Sequence, residues 1–489
     1  MKKILFPILG LALALALALP VAANGPVEPP TVDGALQPGE SCNVTKNVTT
    51  PEIPPNPDIY FMADTTGSMA GVIAAVQSNA TAIMAAIIAA QPTAQFGVGN
   101  YRDYPGTVPP FQHQQSITAN TSLVSTAIGA WAAGGGGDGP EAQFYALDRL
   151  ANGTGIDWRG IGTKIVVWFG DAPAHDPVPN AATGLGYNIT EATVIADLVA
   201  AGIKVIAISI NSTVVYPNGT DDDPTVAGGD YASYYGITED GTAGQASRIA
   251  NATGGAYLFA TTPAEAAAAV LAGIGELTTD VWWNVTAVDP GINVTLEPAV
   301  HYGVSGNTTV AFNETVTVTA DPSVSTTYNA TVAFYANTYP ETEGAFIGEE
   351  NITITVIVID IKPWSDPNSI NTKSKGVVPV AILGSDTFDV TTVNVSTLMF
   401  GPAEATPAHN LTDPAVYADH LVQPWLVNPL DPPAEWYYYT ANEDDYVDLV
   451  MHFRQRDTGL LPGATVACLN GTIIDGPSFT ACDSVLVRK

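Results

Sequence analysis

Between residues 58 and 277, short runs of β-branched and aromatic residues alternate with stretches of helical period. No other feature constrains the fold as tightly. The pattern predicts strands at 59–63, 94–100, 164–169, 204–210 and 256–259. Between and after them it predicts helices at 70–90, 123–133, 141–150, 191–201, 245–250 and 263–277. The strand runs are too uniformly apolar to have a wet face. They require cover on both sides, which a mostly parallel sheet between two helical layers provides. Residues 56–280 are therefore expected to form one doubly wound, Rossmann-like α/β domain.

In an open parallel sheet, ligands bind beyond the carboxyl ends of the strands. The first strand ends there in Asp64-Thr65-Thr66-Gly67-Ser68-Met69. One carboxylate and two hydroxyls, spaced by two residues, can converge from a single tight loop. An all-oxygen set of this kind selects a hard cation, Mg2+ or Ca2+, over zinc. A second loop runs Gly134-Gly135-Gly136-Gly137-Asp138-Gly139-Pro140-Glu141, where the glycines permit close backbone approach and Asp138 and Glu141 can reach inward. A third strand ends in Gly170-Asp171-Ala172-Pro173. Taken one at a time, Asp64 reads as a helix cap, Asp171 as a turn residue and the glycine run as a linker. Together, on one edge of one sheet, they predict a metal site.

These residues resemble the von Willebrand factor A family, most closely the A domain found in the integrin β-subunit, together with its prokaryotic relatives. Asp64-Thr65-Thr66-Gly67-Ser68 matches the family's metal-ion-dependent adhesion motif. Asp138-Gly139-Pro140-Glu141 is similar to the integrin loop whose glutamate completes the site, and Asp171 falls at the family's last acidic position. The resemblance covers most of 55–280. It implies that Asp64, Thr66, Ser68, Glu141 and Asp171 bind Mg2+ or Ca2+ directly or through water, with a coordination position open to a ligand carboxylate. Ala70, Gly71 and Val72 stand where the family's adjacent regulatory site needs acids, so that site is expected to be missing. A second flanking cation is a candidate through Asp103, Asp138, the Pro140 carbonyl and Glu141. His175 and Asp176 read as a surface turn.

Beyond residue 280 the helical period disappears. Alternating runs rich in Val, Thr, Tyr and Phe predict an antiparallel, Ig-like β-sandwich over 281–359. Residues 360–489 read as a separate β-rich module, with strands at 375–383 and 387–400. This module resembles a domain recurrent at the ends of prokaryotic secreted proteins, through Ile359-Asp360-Ile361-Lys362-Pro363, the run Lys375-Gly376-Val377-Val378-Pro379 and Asp448-Leu449-Val450-Met451-His452-Phe453. The calcium loop of that domain is degraded here, leaving Asn442, Asp444 and Asp448 as candidate Ca2+ ligands. Cys468 and Cys482 are the natural disulfide pair, which leaves Cys42 over.

At the other end, Lys2 and Lys3, an apolar run over 4–19 and Val21-Ala22-Ala23 read as a signal peptide over 1–23. Residues 24–55, Pro- and Thr-rich without a period, read as a flexible spacer carrying Cys42. No later apolar run of spanning length is apparent, so no membrane insertion is expected after cleavage. The formal net charge of −32 repels nucleic acid, although the same excess of acid also serves solubility or a salty habitat. Eighteen Asn-X-Ser/Thr sequons, among them Asn43, Asn47, Asn188, Asn211, Asn218 and Asn307, point to an N-glycosylating host, an archaeon or a eukaryote.

The combined expectation is a secreted or cell-surface glycoprotein that grips an acidic side chain of a protein ligand through a bound cation. No catalytic residues are assigned, because the chain has no nucleophile elbow, no His-Glu-X-X-His helix and no cysteine with a nearby histidine. An alternative is an envelope or matrix component whose A domain clasps another copy of itself. A third and weaker reading is two-metal hydrolysis at Asp64, Asp171 and His175.

Overall fold

The computed structural model describes residues 25–489 except 105–108, 154, 212–215, 227–233, 338–344, 423–441 and 443. The expected signal peptide lies outside the described residues. The first three strands, β1 (Val27–Glu28), β2 (Thr31–Ala35) and β3 (Ser41–Thr49), occupy the segment expected to be a flexible spacer. The β2 and β3 strands find partners more than 250 residues further along the chain.

The chain then enters a six-stranded sheet built from β4 (Pro57–Asp64), β5 (Gln95–Tyr101), β6 (Phe111–Thr118), β7 (Thr163–Gly170), β8 (Ile203–Ile210) and β9 (Ala256–Ala260). Its order is β6-β5-β4-β7-β8-β9, parallel throughout except for the antiparallel edge strand β6. That edge strand escaped the sequence reading because Gln112, His113, Gln114 and Gln115 break up its apolar content.

All eight residues of β4 are buried, and its alternation sorts them between two layers. Ile59, Phe61 and Ala63 pack with the helices Ala70–Ala90, Thr121–Gly129 and Pro263–Gly275. Tyr60 and Met62 pack with Gln143–Asn152, Glu191–Ala200 and Gln245–Ala252. Side-chain caps set three of the helix starts: Asn120 accepts from the Ser122 and Leu123 amides, Thr190 forms a capping box with Thr193, and Thr262 caps a helix opened by Pro263. The stretch Gly67–Ala90 is long and apolar enough to cross a membrane, contrary to the sequence reading. Here its Val72, Val76, Ile83 and Ile87 are core residues against the sheet.

After the α/β domain come β10 (Thr278–Val288), β11 (Ile292–Glu297), β12 (Val300–Ser305), β13 (Thr309–Val318), β14 (Thr326–Ala336) and β15 (Phe346–Val356). They complete two sheets, β1-β3-β13-β11 and β12-β10-β14-β15-β2. The antiparallel register of β3 on β13 runs from Thr309 opposite Thr49 to Thr317 opposite Ser41, and β2 lies parallel to β15. The spacer is thus part of the sandwich, and the α/β domain is inserted between β3 and β10. The cause lies in β3 itself, where Cys42, Val44, Lys46 and Val48 face inward. A lysine at one inward position hides the two-residue period. Cys42 is a half-buried free thiol on this strand, not part of a disordered segment.

The last module contains one sheet of Ile359–Ile361, Val377–Ile382, Asp448–Arg454 and Leu421–Val422, in that order. A second sheet is formed by Met399–Phe400, Val466–Thr472 and Ser478–Ser484, and a smaller pair by Ser369–Asn371 with Leu486–Arg488. Cys468 and Cys482 face each other in register and form a disulfide. The strand expected at 387–400 is reduced to Met399–Phe400. Asp389 and Asn394 accept from the amides two residues on, and their side chains start short 3-10 turns instead of a ladder.

Candidate metal centre

Strand β4 delivers Asp64 to the carboxyl edge of the sheet, fully buried. Its Oδ1 accepts from the Thr66 amide at 2.8 Å and from the Thr66 hydroxyl at 2.7 Å. The Thr66 hydroxyl lies 3.4 Å from that of Ser68, which is exposed at the loop tip. The glycine run closes over this loop through two backbone bonds, Gly134 N to Thr65 O at 3.0 Å and Gly67 N to Gly135 O at 3.1 Å. Gly135 and Gly136 adopt φ of 80° and 93°, a left-handed region that a side chain would resist, so the run is a shaped lid and not a linker.

The second and third loops are joined in the same way. Glu141 N donates to Pro173 O at 2.9 Å, His175 N donates to Glu141 O at 3.1 Å, and Gln143 Nε2 donates to Ala172 O at 3.0 Å. Glu141 and Asp171 are both buried. All five expected ligands therefore stand on loops knitted together at one sheet edge.

The electrostatics of this edge are unbalanced. Burial pushes the Asp64 carboxyl well above the usual carboxylate range, and the charges of Asp171 and Asp103 push it further. Burial raises Glu141 likewise, followed by repulsion from Asp64, Asp103 and Asp171. Asp64 Oδ2 and Glu141 Oε2 are buried and accept no hydrogen bond among the described residues. Buried carboxylate oxygens that repel one another are stabilised by protonation or by a cation, and this oxygen-rich set fits a metal ion, although Asp64, Glu141 and Asp171 are not among the groups of three whose ligand atoms lie within 4.8 Å of one another.

The flanking position is organised differently from the expectation. His175 is fully buried, which corrects the surface-turn reading. Its Nε2 lies 2.9 Å from Asp103 Oδ1 and 3.6 Å from Asp138 Oδ1, and its Nδ1 lies 2.5 Å from Glu239 Oε1. Burial opposes charge on this ring, but the bonds to Asp103 and Glu239 prevail and push its pKa up to about 9. At neutral pH an imidazolium thus occupies the space expected to hold a second cation through Asp103, Asp138 and Pro140. Asp103, Asp138 and His175 still lie close enough to hold a metal were the ring to lose its proton. Asp103 Oδ2 also accepts from Gly137 N at 2.6 Å and so shapes the acidic loop, and Pro140 is buried beside Glu141. With both ring nitrogens engaged by carboxylates, His175 is not placed to act as a base. Glu239, more than sixty residues from His175, carried no sequence signal for this role.

In the C-terminal module, Asn442 Nδ2 donates to Asp444 Oδ2 at 2.7 Å, while Asp448 is fully buried and accepts from Gly384 N at 2.9 Å. The ligand-bearing groups of three acids or histidines among the described residues do not include Asp444 or Asp448. Such a group is formed instead by His409, His420 and His452, which the sequence reading missed because their spacing follows no helical or strand period. Sixteen of the eighteen sequon asparagines are exposed, Asn43, Asn47, Asn188, Asn211, Asn218 and Asn307 among them, and Asn394 and Asn470 are half-buried. All eighteen are therefore open to a modifying enzyme in part or in full. No family model and no curated protein matches the chain.

Proposed function

We propose that residues 56–280 are a von Willebrand A-type domain, inserted in an Ig-like sandwich, whose metal site captures a carboxylate on a protein ligand. The observation that carries this reading is the pair of buried, unbonded oxygens on Asp64 and Glu141, on loops that also present the Thr66 and Ser68 hydroxyls and Asp171. The residues that would hold the ion are Asp64, Thr66, Ser68, Glu141 and Asp171, and an all-oxygen set favours Mg2+ or Ca2+. The ion supplies Lewis acidity to a ligand carboxylate. The chain supplies the rest: Thr66 fixes the Asp64 carboxylate through two hydrogen bonds, and the exposed Ser68 keeps the loop tip open to a large partner.

Exported and glycosylated, such a domain works as an adhesion module at the cell surface, without catalysis. A second reading is that the captured carboxylate belongs to another copy of the chain, which carries 48 acidic residues, against the mutual repulsion of two chains of net charge −32. Calorimetry of the mature protein with Mg2+ and with Ca2+ tests the first reading. Saturable heat that is absent from Asp64→Ala supports it, and no heat from the folded wild type ends it. Metal-dependent dimerisation in size-exclusion chromatography separates the self-association reading from capture of a different protein.

A further inference from the structure

The sandwich buries a second group of charges that plays no part in metal binding. Lys46 on β3, Glu314 on β13 and Glu350 on β15 are each fully buried, in a core shared with Val48, Phe312, Val332 and Phe334. Lys46 stands opposite Phe312 in the β3–β13 register, so Glu314, two residues on, projects from the same face. Glu350 comes from the facing sheet. Lys46 Nζ is in direct contact with Glu350 Oε2 and lies 3.8 Å from Glu314 Oε2.

The hydrogen-bond pattern does not suit an ammonium ion. An ammonium has three N–H donors, yet among the described residues Lys46 Nζ makes one hydrogen bond, to Pro29 O at 2.7 Å. Apart from the contact with Lys46, none of the four oxygens of Glu314 and Glu350 accepts a hydrogen bond among those residues. An amide nitrogen has a single donor, and a single acceptor is what this nitrogen has.

We propose that Lys46 and Glu350 are joined by an isopeptide bond that forms spontaneously once the sandwich has folded. Taken together, the ammonium and carboxylate have the same atoms and net charge as a neutral amine and a carboxylic acid, and the dry core favours the neutral pair. Burial lowers the pKa of Lys46, in keeping with that direction. The lone pair of Nζ attacks Glu350 Cδ and the N–C bond forms. Glu314 takes a proton from the nitrogen and passes it to the departing hydroxyl, the C–O bond breaks, and one water leaves. Glu314 ends in its starting protonation state, and no oxidant or reductant is consumed. Fixed contact between the reacting groups substitutes for activation of the acid.

The bond would tie a strand preceding the α/β domain to a strand following it. The inserted domain would then hang in a covalently closed loop from 46 to 350. Tension between the first strands and the C-terminal module would run through the sandwich cross-link and bypass the metal loops.

The test uses the mature chain made in a host without N-glycosylation and analysed by mass spectrometry after reduction of the disulfide. The expected mass is one water below the sequence mass, with the Lys46 and Glu350 peptides recovered as one branched species. Glu314→Gln, with its sheet content verified by circular dichroism, should retain the full mass. A folded wild type at full mass, with Lys46 in a linear peptide, overturns the cross-link and leaves a buried ion pair. A branched species in Glu314→Gln overturns the role of Glu314 as proton carrier.

The histidine group carries an independent inference. His409, His420 and His452 are three of only six histidines in the chain, and their ligand atoms lie within 4.8 Å of one another. His409 Nδ1 is 2.7 Å from His420 Nε2, and His420 Nδ1 is held by Val416 O at 2.8 Å, the outer bond that orients a metal-bound imidazole. The buried His452 Nδ1 has no hydrogen-bond partner among the described residues. We infer that this triad binds a borderline transition metal, Zn2+ foremost, in the C-terminal module. Titration of the mature chain with Co2+ as a spectroscopic probe, and with Zn2+ in competition, should show one site that His420→Ala weakens at least about tenfold. The Mg2+ response of the α/β domain should remain intact in that variant. Co2+ spectra identical in wild type and His420→Ala overturn the assignment.

Discussion

The α/β domain and the sandwich both bury carboxylates, but they balance them in opposite ways. In the sandwich, Glu314 and Glu350 meet a basic side chain carried by the chain itself, Lys46, which the proposed bond to Glu350 would make permanent. At the sheet edge, Asp64 and Glu141 have no basic side chain among the groups that shift them, and hydroxyls are their nearest help. His175, between Asp103 and Glu239, is an intermediate case in which an internal cation sits beside the acids that lack one. An internal basic partner makes a permanent brace. Where the chain supplies none, the excess negative charge can draw an ion from solution, and an exchangeable ion with solvent on one side can bind something else as well.

The comparison breaks most visibly at Lys46. Lys46→Ala removes the proposed bond and leaves Glu314 and Glu350 without a basic partner in the core, and it should lower sandwich stability by about 3–5 kcal/mol, read by calorimetric melting. Replacing all three groups together (Lys46→Met, Glu314→Gln, Glu350→Gln) should restore part of this loss. A melt unchanged by Lys46→Ala would mean that Lys46 balances nothing. For the sheet edge, the expected effect comes from outside the chain: Mg2+ at about a hundred times its Kd should stabilise the α/β domain by about 2.7 kcal/mol. Asp64→Ala should abolish that shift while leaving the sandwich transition where it was.

Dependence on pH sharpens the contrast. His175 has a folded pKa of about 9, above its ordinary value near 6.5, so its stabilising effect is complete below about pH 6.5 and is lost as pH rises through about 9. The raised pKa values of Asp64 and Glu141 act with the same sign, because the metal-free fold prefers these acids protonated. Without metal, the α/β domain should therefore lose about 2 kcal/mol between pH 6 and 9, measured by denaturant titration. Magnesium affinity should rise with pH as protons leave the carboxylates. An increase in metal-free stability on raising the pH would contradict both statements. The smallest expected effect is that of Asp64→Asn, which removes one repelling charge at constant shape. It should stabilise the metal-free protein by about 1 kcal/mol while weakening metal binding.

The α/β layers are legible in the chain before it folds, because the fully apolar strands can be satisfied only between two helical faces, and the layers follow from the alternation of β4. The sequence also shows which residues end the strands, and hence that Asp64 and Asp171 share one edge, because that edge is a topological property of a parallel sheet, whereas Glu141 ends no strand and was expected there from the glycine loop and the resemblance. The Cys468–Cys482 pair was legible for a similar reason, since a short loop separates two strands that face each other. That the first strands belong to a sandwich completed after residue 277 emerges only on folding, because β3 finds its partner across the whole inserted domain and a lysine at an inward position hides its alternation. The same holds for the partners of the buried charges. Lys46 with Glu350, His175 with Glu239, and His409 with His452 are contacts between residues far apart in the chain, and the cost of burying a charge becomes visible only when its surroundings are in place.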